Sequence, residues 1–206
     1  MKKIILASAS PRRRELLSQI GLEFEIVISH KEESYESTRP EEIVKELALM
    51  KAENVASELR EKGGLEDTVV IGADTIVALD QQILGKPKDE EDAYQMLTSL
   101  QGRSHQVFTG AAILDFDQTG NCQVSSHAVE TRVYVHEMDR QEILSYIESK
   151  EPMDKAGAYG IQGKFAAYID KIEGDYYNVV GLPVSHIYQQ LKKTGITQSP
   201  KGAADK

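Results

Sequence analysis

A single cysteine, Cys122, occurs in 206 residues, so no internal disulfide can form and a thiolate-rich metal centre is excluded. Long apolar runs are also missing. Nowhere do about 18 consecutive apolar residues occur, the length a membrane-spanning helix needs, and the mean hydropathy is −0.40. Positive charge is in deficit: 24 Lys and Arg face 33 Asp and Glu, a formal net charge of −9, with a sequence pI near 5.1. The field of such a molecule repels nucleic acid and anionic membrane, so an anionic ligand has to be met by local positive charge. The chain has no P-loop, no G-x-G-x-x-G, no H-E-x-x-H and no G-x-S-x-G, which removes the simplest motif-based readings. Repeats and low-complexity segments are absent as well.

What is present is an ordinary globular balance, 40% hydrophobic and 28% charged residues. It supports a sizeable core in one domain, residues 1–193, built as two lobes around a cleft. Lys2 and Lys3 ahead of Ile4, Ile5 and Leu6, with Ala7-Ser8-Ala9 following, imitate a secretory signal, but Arg12, Arg13 and Arg14 come at once. The protein is therefore expected to stay in the cytoplasm. Residues 194–206 lose periodicity and gather Gly, Ser, Pro and Lys, the composition of a frayed, disordered tail.

Lys3 to Ala7 reads as a strand, Ser10-Pro11 as an N-cap with proline at the first helical position, and Gly21 as the end of that helix. Phe24 to Ile28 predicts a second strand, His30 to Arg39 a loop, and Pro40 the start of a long helix. Ile43, Leu47, Met50, Val55 and Leu59 mark the apolar face of that helix, which Lys51 interrupts. Val69 to Ala73 predicts a strand buried on both faces, with Asp74-Thr75 at its carboxyl end. A turn at Asp80-Gln81-Gln82 and a helix over Asp89 to Leu100 follow. Strands are expected at Val107 to Leu114, over Val129 to Val135, and at Phe165 to Ile172. Ile143, Leu144 and Ile147 recur at helical spacing, and a closing helix follows Pro183. Alternating strands and helices point to an α/β fold, with the site outside the carboxyl ends of the strands.

Three constellations carry chemistry. In Ser8-Ala9-Ser10-Pro11-Arg12-Arg13-Arg14, hydroxyls, guanidinium groups and a helix N-terminus follow a buried strand, an arrangement suited to phosphate. A row of surface arginines on a solvated first turn is the alternative. Asp74 stands beside buried strand residues and needs a partner, a metal or a cation, for which Lys51 and Lys86 are candidates. A structural ion pair and a snorkelling Lys51 are the bland alternatives. The third is the glycine-bearing loop Lys155-Ala156-Gly157-Ala158-Tyr159-Gly160-Ile161-Gln162-Gly163, which by itself says only that backbone approaches something closely. The five histidines and Cys122 show no ligand spacing and default to core or surface roles.

Taken together, SASPRRREL, Lys51 in LMKAENVA, GADT at 72–75, GKP at 85–87, GRSHQVFTG at 102–110, KAGAYGIQG at 155–163 and NVVGLP at 178–183 resemble the Maf family over nearly the whole chain. The resemblance implies an α/β fold with a mixed, twisted sheet flanked by helices around a deep cleft, similar to inosine triphosphate pyrophosphatases. It implies a cytoplasmic nucleoside triphosphate pyrophosphatase that depends on a divalent metal, Mg²⁺ or Mn²⁺, and an association with septum formation and cell division. Position by position, it implies Asp74 as catalytic proton acceptor and Arg12, Thr75 and Gln162 as setters of base specificity. Ser8, Arg13, Lys51 and Lys86 become phosphate or cleft residues, and Glu33 with Asp74 the metal ligands. Having Arg12, Thr75 and Gln162 together is similar to the branch acting on dTTP and UTP, hydrolysed to the monophosphate and pyrophosphate. House-cleaning of modified nucleotides and nucleotide sensing for cell division are the alternatives. Asp74 as general base and Asp74 as metal ligand both remain open, and a homodimer follows by analogy alone. The stretch His30 to Pro40 departs most from the family's usual wording.

Overall fold

The computed structural model describes residues 2–196. From residue 197 onward the expected tail lies outside the described residues. Its first residues are packed, since Ile196 is buried and Thr194 donates its hydroxyl to the Leu191 carbonyl at 2.8 Å. No helix among the described residues is long and apolar enough to cross a membrane.

The chain runs β1 (Lys3–Ala7), α1 (Pro11–Gln19), β2 (Glu25–Ile26), α2 (Pro40–Glu61), β3 (Thr68–Leu79), β4 (Gln82–Leu84), α3 (Glu90–Leu100), β5 (Ser104–Phe116), β6 (Cys122–Val135) and α4 (Arg140–Glu148). Three short 3₁₀ turns, Glu151–Asp154, Ala156–Ala158 and Lys164–Tyr168, lead to β7 (Ile169–Glu173), α5 (Tyr176–Val180) and α6 (Val184–Lys193). The strands form one seven-stranded mixed sheet in the order β2-β1-β3-β5-β6-β7, with β4 paired to β3. β1 is parallel to β2 and to β3, and the remaining pairs are antiparallel.

Because side chains alternate across a strand, β3 contributes to cores on both faces of the sheet. Val69, Ile71 and Ala73 pack with Leu16 and Leu17 of α1 and with Ile187 and Leu191 of α6. On the opposite face Val70 packs with Ala48, Ala52 and Val55 of α2, and Ile76 and Ala78 with Ile43, Val44 and Leu47 of the same helix. The helix α2 approaches the sheet at two glycines. A Cβ on Gly72 would lie 2.1 Å from the Ala48 carbonyl oxygen, and one on Gly110 would lie 2.0 Å from that of Val44. Further along, Val77 and Leu79 join α3, α4, Tyr159 and Phe165 in a separate core.

Several expectations change. β3 runs on to Leu79, so Asp74-Thr75 lie in mid-strand, because β5 pairs with β3 without a break from Val69 to Ala78. The second strand shrinks to Glu25–Ile26, with one further ladder bond from Val27 N to Leu6 O at 3.2 Å. Phe165–Tyr168 is a 3₁₀ turn instead of a strand, because Phe165 turns inward to pack, ring tilted against ring, among Tyr146, Tyr159 and Tyr168. Ser10 occupies the N-cap of α1 without a side-chain cap bond; its own N–H donates to Ser8 Oγ at 3.3 Å.

Candidate active site

The site is a notch in the sheet. Along one edge of β3, β1 pairs only as far as Gly72 and β4 begins pairing only at Val77, so residues 73–76 face a gap on that side. Adjacent residues of a strand point to opposite faces, and only at such a gap can both open into one space. Asp74 and Thr75 both line a cavity of about 770 Å³, together with Ser8, Arg12, Glu33, Lys51, Lys86 and Gln162. That volume is in the range of small-molecule sites.

On the α2 face, Lys51 Nζ lies 2.5 Å from Asp74 Oδ1 and 3.1 Å from a Glu33 oxygen. The side chains of Lys51 and Asp74 are 19% and 14% exposed, whereas Glu33 is 47% exposed; the inner pair is largely withdrawn from water and Glu33 closes it from the loop. Of the two candidate partners for Asp74, the fold selects Lys51, because α2 crosses the sheet at Gly72 and Gly110. Lys86 stands exposed on the cavity wall with no ion pair among the described residues. Its charge is therefore open to an incoming anion.

On the opposite face Arg13 is not the exposed phosphate fork that the arginine run suggests. Nε donates to Gly181 O at 2.8 Å, Nη1 to Ser8 Oγ at 3.1 Å and to Ala73 O at 2.9 Å, and Nη2 to Thr75 Oγ1 at 3.1 Å. Burial lowers its pKa, a shift opposed by the charges of Asp74 and Glu33. Most of its donors are engaged by the protein, and its work is to hold the end of β1, the open edge of β3 and the turn after α5 in one frame. Arg12 is held less firmly: it lines the cavity and its Nη1 pairs with Asp154 at 3.2 Å, an exposed bond that is weak in water and easily exchanged.

The glycine-bearing loop has an internal strut. Tyr146 Oη donates to Glu151 Oε1 at 2.9 Å and the Lys164 N–H donates to Oε2 at 3.0 Å. A Cβ on Gly163 would come within 2.0 Å of the same carboxylate, so the missing side chain is what admits it. The loop thereby presents Gln162, exposed and without a hydrogen bond among the described residues, to the cavity. Tyr159 lines the same space and is 2.7 Å from His105 Nε2. Burial pushes His105 down to about 4, so this imidazole is neutral at ordinary pH and its role is structural.

Of the residues picked out from the sequence, Ser8, Arg12, Arg13, Glu33, Lys51, Asp74, Thr75, Lys86 and Gln162 reach the cavity, whereas Arg14, the third of the arginine run, is exposed and does not line it. Sequence reasoning missed Glu151, Asp154, Thr109 and Asn178. Asp154 directly precedes the Lys155 loop, a visible signal. For Thr109 and Asn178, inside the GRSHQVFTG and NVVGLP segments, only the resemblance hinted at importance.

No group of three or more His, Cys, Asp or Glu that could hold a metal unaided occurs among the described residues. Glu33 and Asp74 nevertheless converge on one ammonium group. Two hard carboxylates converging on a single cation fit an ion such as Mg²⁺, which takes one or two carboxylates and completes its shell with water and phosphate oxygens.

A family model described as Maf-like protein matches residues 3–194. Among curated proteins, the dTTP/UTP pyrophosphatase of Lachnoclostridium phytofermentans is 47% identical over 196 residues, covering 95% of this chain and 97% of that protein. That of Agathobacter rectalis is 49% identical over 203 residues, with 95% and 99% covered, and that of Alkaliphilus oremlandii 52% identical over 189 residues, with 89% and 92% covered. Among solved structures, a nucleoside-triphosphatase / dITP/XTP pyrophosphatase from Mycobacterium abscessus aligns over 93% of this chain and 97% of its own at 14% identity and a TM-score of 0.40. That superposition is too loose to add to the family match.

Proposed function

Since the chain belongs to the family of Maf-like proteins, we propose that the notch is the active site of a nucleoside triphosphate pyrophosphatase that converts dTTP and UTP to the monophosphate and pyrophosphate. The observation that carries this reading is the opening of Asp74 and Thr75, from opposite faces of β3, into one cavity flanked by Lys51, Lys86 and Arg12. Relatives that bear the name dTTP/UTP pyrophosphatase cover almost the whole chain. The enzyme is a hydrolase of phosphoric anhydride bonds.

In this scheme Asp74, held through Oδ1 by Lys51, uses its other oxygen to orient a water molecule and accept its proton. The water oxygen bonds to the α-phosphorus as the bond from that phosphorus to the β-bridging oxygen breaks, and pyrophosphate leaves with the electron pair. Lys86 and Arg12 offset the phosphate charge, Arg12 exchanging its exposed pairing with Asp154 for the substrate. Gln162, whose side-chain amide donates through Nε2, reads a carbonyl oxygen on the edge shared by thymine and uracil and leaves the N3–H of that edge to another acceptor. Thr75 faces the same base, and Arg13 and Ser8 hold the frame. Glu33 and Asp74 are the residues that would hold a divalent cation, whose contribution when bound is to neutralise phosphate oxygens. A cytoplasmic location belongs to the same reading.

Two measurements test it. Incubation with dTTP or UTP is expected to release pyrophosphate as first product; orthophosphate first, or a preference for 7-methyl-GTP over both, would overturn the assignment. Exhaustive chelation with EDTA is expected to abolish turnover, and Mg²⁺ or Mn²⁺ to restore it. Full activity in the chelated enzyme would remove the cation from the scheme.

A further inference from the structure

The hydroxyl of Thr75 belongs to a chain of hydrogen bonds whose direction is determined at both ends. At one end Arg13 Nη2 lies 3.1 Å from Thr75 Oγ1, and a guanidinium can only donate. At the other end Thr109 Oγ1 lies 2.8 Å from the backbone oxygen of Asn178, and a carbonyl can only accept. Thr109 therefore commits its single hydrogen to Asn178. The two hydroxyls are 2.9 Å apart, and with the Thr109 hydrogen already committed, Thr75 is the donor between them. Thr75 Oγ1 has thus given away its proton and filled one lone pair with Arg13. One lone pair is left for the cavity that Thr75 lines.

The far end of this chain is anchored. Thr109 and Asn178 are fully buried, 0% exposed, and facing residues Thr75 and Thr109 are paired across β3 and β5. Asn178 Nδ2 donates to Val107 O at 3.0 Å and to Thr131 Oγ1 at 2.9 Å. Thr131 in turn donates to Asp175 O at 3.0 Å, and Asp175 caps the first turn of α5 by accepting from the Tyr177 N–H at 2.8 Å. With α5 pinned to the sheet at its start and at Asn178, the carbonyl that orients Thr109 cannot turn away. That carbonyl also accepts from the Gly181 N–H at 3.0 Å, and at 2.8 Å a Thr109 oxygen that turned its hydrogen elsewhere would face it lone pair to lone pair, which is unfavourable in this dry interior.

We propose that Thr109 is a positioning residue that makes Thr75 an acceptor-only group, so that the cavity selects bases offering a hydrogen-bond donor at that edge. This rests on the reading of the site as a nucleoside triphosphate pocket with Thr75 at the base. Thymine and uracil carry N3–H and match the free lone pair. Cytosine presents a lone pair at N3 and meets acceptor with acceptor. The discrimination between uracil and cytosine is then set one residue behind the cavity wall, by a side chain that never touches the substrate.

Steady-state kinetics with UTP, CTP and N3-methyl-UTP on the parent enzyme, Thr109→Ser and Thr109→Val test it, with thermal unfolding followed alongside. The parent is expected to prefer UTP to CTP and to turn over N3-methyl-UTP poorly. Thr109→Ser, which keeps the hydroxyl, retains the parent ratio. Thr109→Val removes the acceptor that occupies the Thr75 proton and frees that proton for cytosine N3. The ratio of kcat/KM for UTP over CTP then falls about tenfold or more, mainly through a lower KM for CTP, since the base is remote from the reacting phosphorus. Equal loss on UTP and CTP in Thr109→Val would show a merely structural role and overturn the proposal. So would parent-level turnover of N3-methyl-UTP by the parent enzyme, a result that needs no variant to fold. Failure of the parent to hydrolyse UTP at all would instead overturn the functional reading beneath it.

Discussion

Asp74→Asn is expected to lower kcat on dTTP by about a hundredfold or more, the scale of general acid–base contributions, while the protein stays folded. The substitution keeps the shape of the side chain and removes its charge and its basicity. In the notch the carboxylate has two functions, holding the Lys51 ammonium at 2.5 Å and facing the cavity. The amide can still accept from Lys51 through its oxygen, and Glu33 at 3.1 Å keeps a negative charge beside that ammonium, so the local fold has support that the chemistry lacks. The check pairs single-turnover rates with thermal unfolding. A variant retaining half the parent rate would take Asp74 out of the mechanism, and one that has lost its fold would make Asp74 a structural ion-pair partner first.

Gly110→Ala is expected to cost more stability than any surface substitution, about 3 kcal/mol or more by analogy with overpacked cores and a drop in Tm of roughly 6 to 12 °C for a chain of this size. The added methyl would lie 2.0 Å from the Val44 carbonyl oxygen and 2.8 Å from the Lys45 nitrogen, both helix backbone. Backbone cannot rotate out of the way as a side chain can, so α2 has to lift from the sheet. Because α2 carries Lys51, and Gly110 is the cross-strand neighbour of Asp74, the lift also separates Lys51 from Asp74, and activity is expected to fall before the protein melts. Gly64→Ala, where nothing lies within 4 Å of the new methyl, serves as the matched control and is expected to be near neutral. Differential scanning calorimetry with rates at a temperature where both variants are folded decides the matter. An unchanged Tm and rate in Gly110→Ala would mean that α2 does not sit as closely on β3 and β5 as described.

Much of the local structure was legible because its signals are short-range. Pro11 and Pro40 both stand at the start of their helices, and the Asp80-Gln81 turn forms with both residues at positive φ, 49° and 66°. Asp89 caps α3 by accepting from the Asp92 N–H at 2.8 Å. The apolar spacing of α2 buries Ile43, Leu47 and Val55 where it said it would. Lengths were less legible. β3, β5 and β6 all extend past their apolar runs, because pairing with a neighbour along its whole length rewards residues that no hydrophobic pattern marks.

The candidate site divides in the same way. Composition, motifs and their order were enough to name the residues around the cavity, since residue chemistry and family resemblance are properties of the chain alone. Which of these residues pair with one another was decided only by the tertiary structure. Whether Lys51 or Lys86 meets Asp74 depends on α2 crossing the sheet at two glycines 38 positions apart. Whether Arg13 grips phosphate or protein depends on Gly181, 168 positions away, arriving within 2.8 Å of its Nε. The gap in the sheet between β1 and β4, which lets neighbours on opposite faces of one strand share a cavity, is written in no segment. Interactions within a few residues are set by local sterics and periodicity. Those between distant segments follow from how whole faces pack, and only the folded chain brings them within hydrogen-bonding distance.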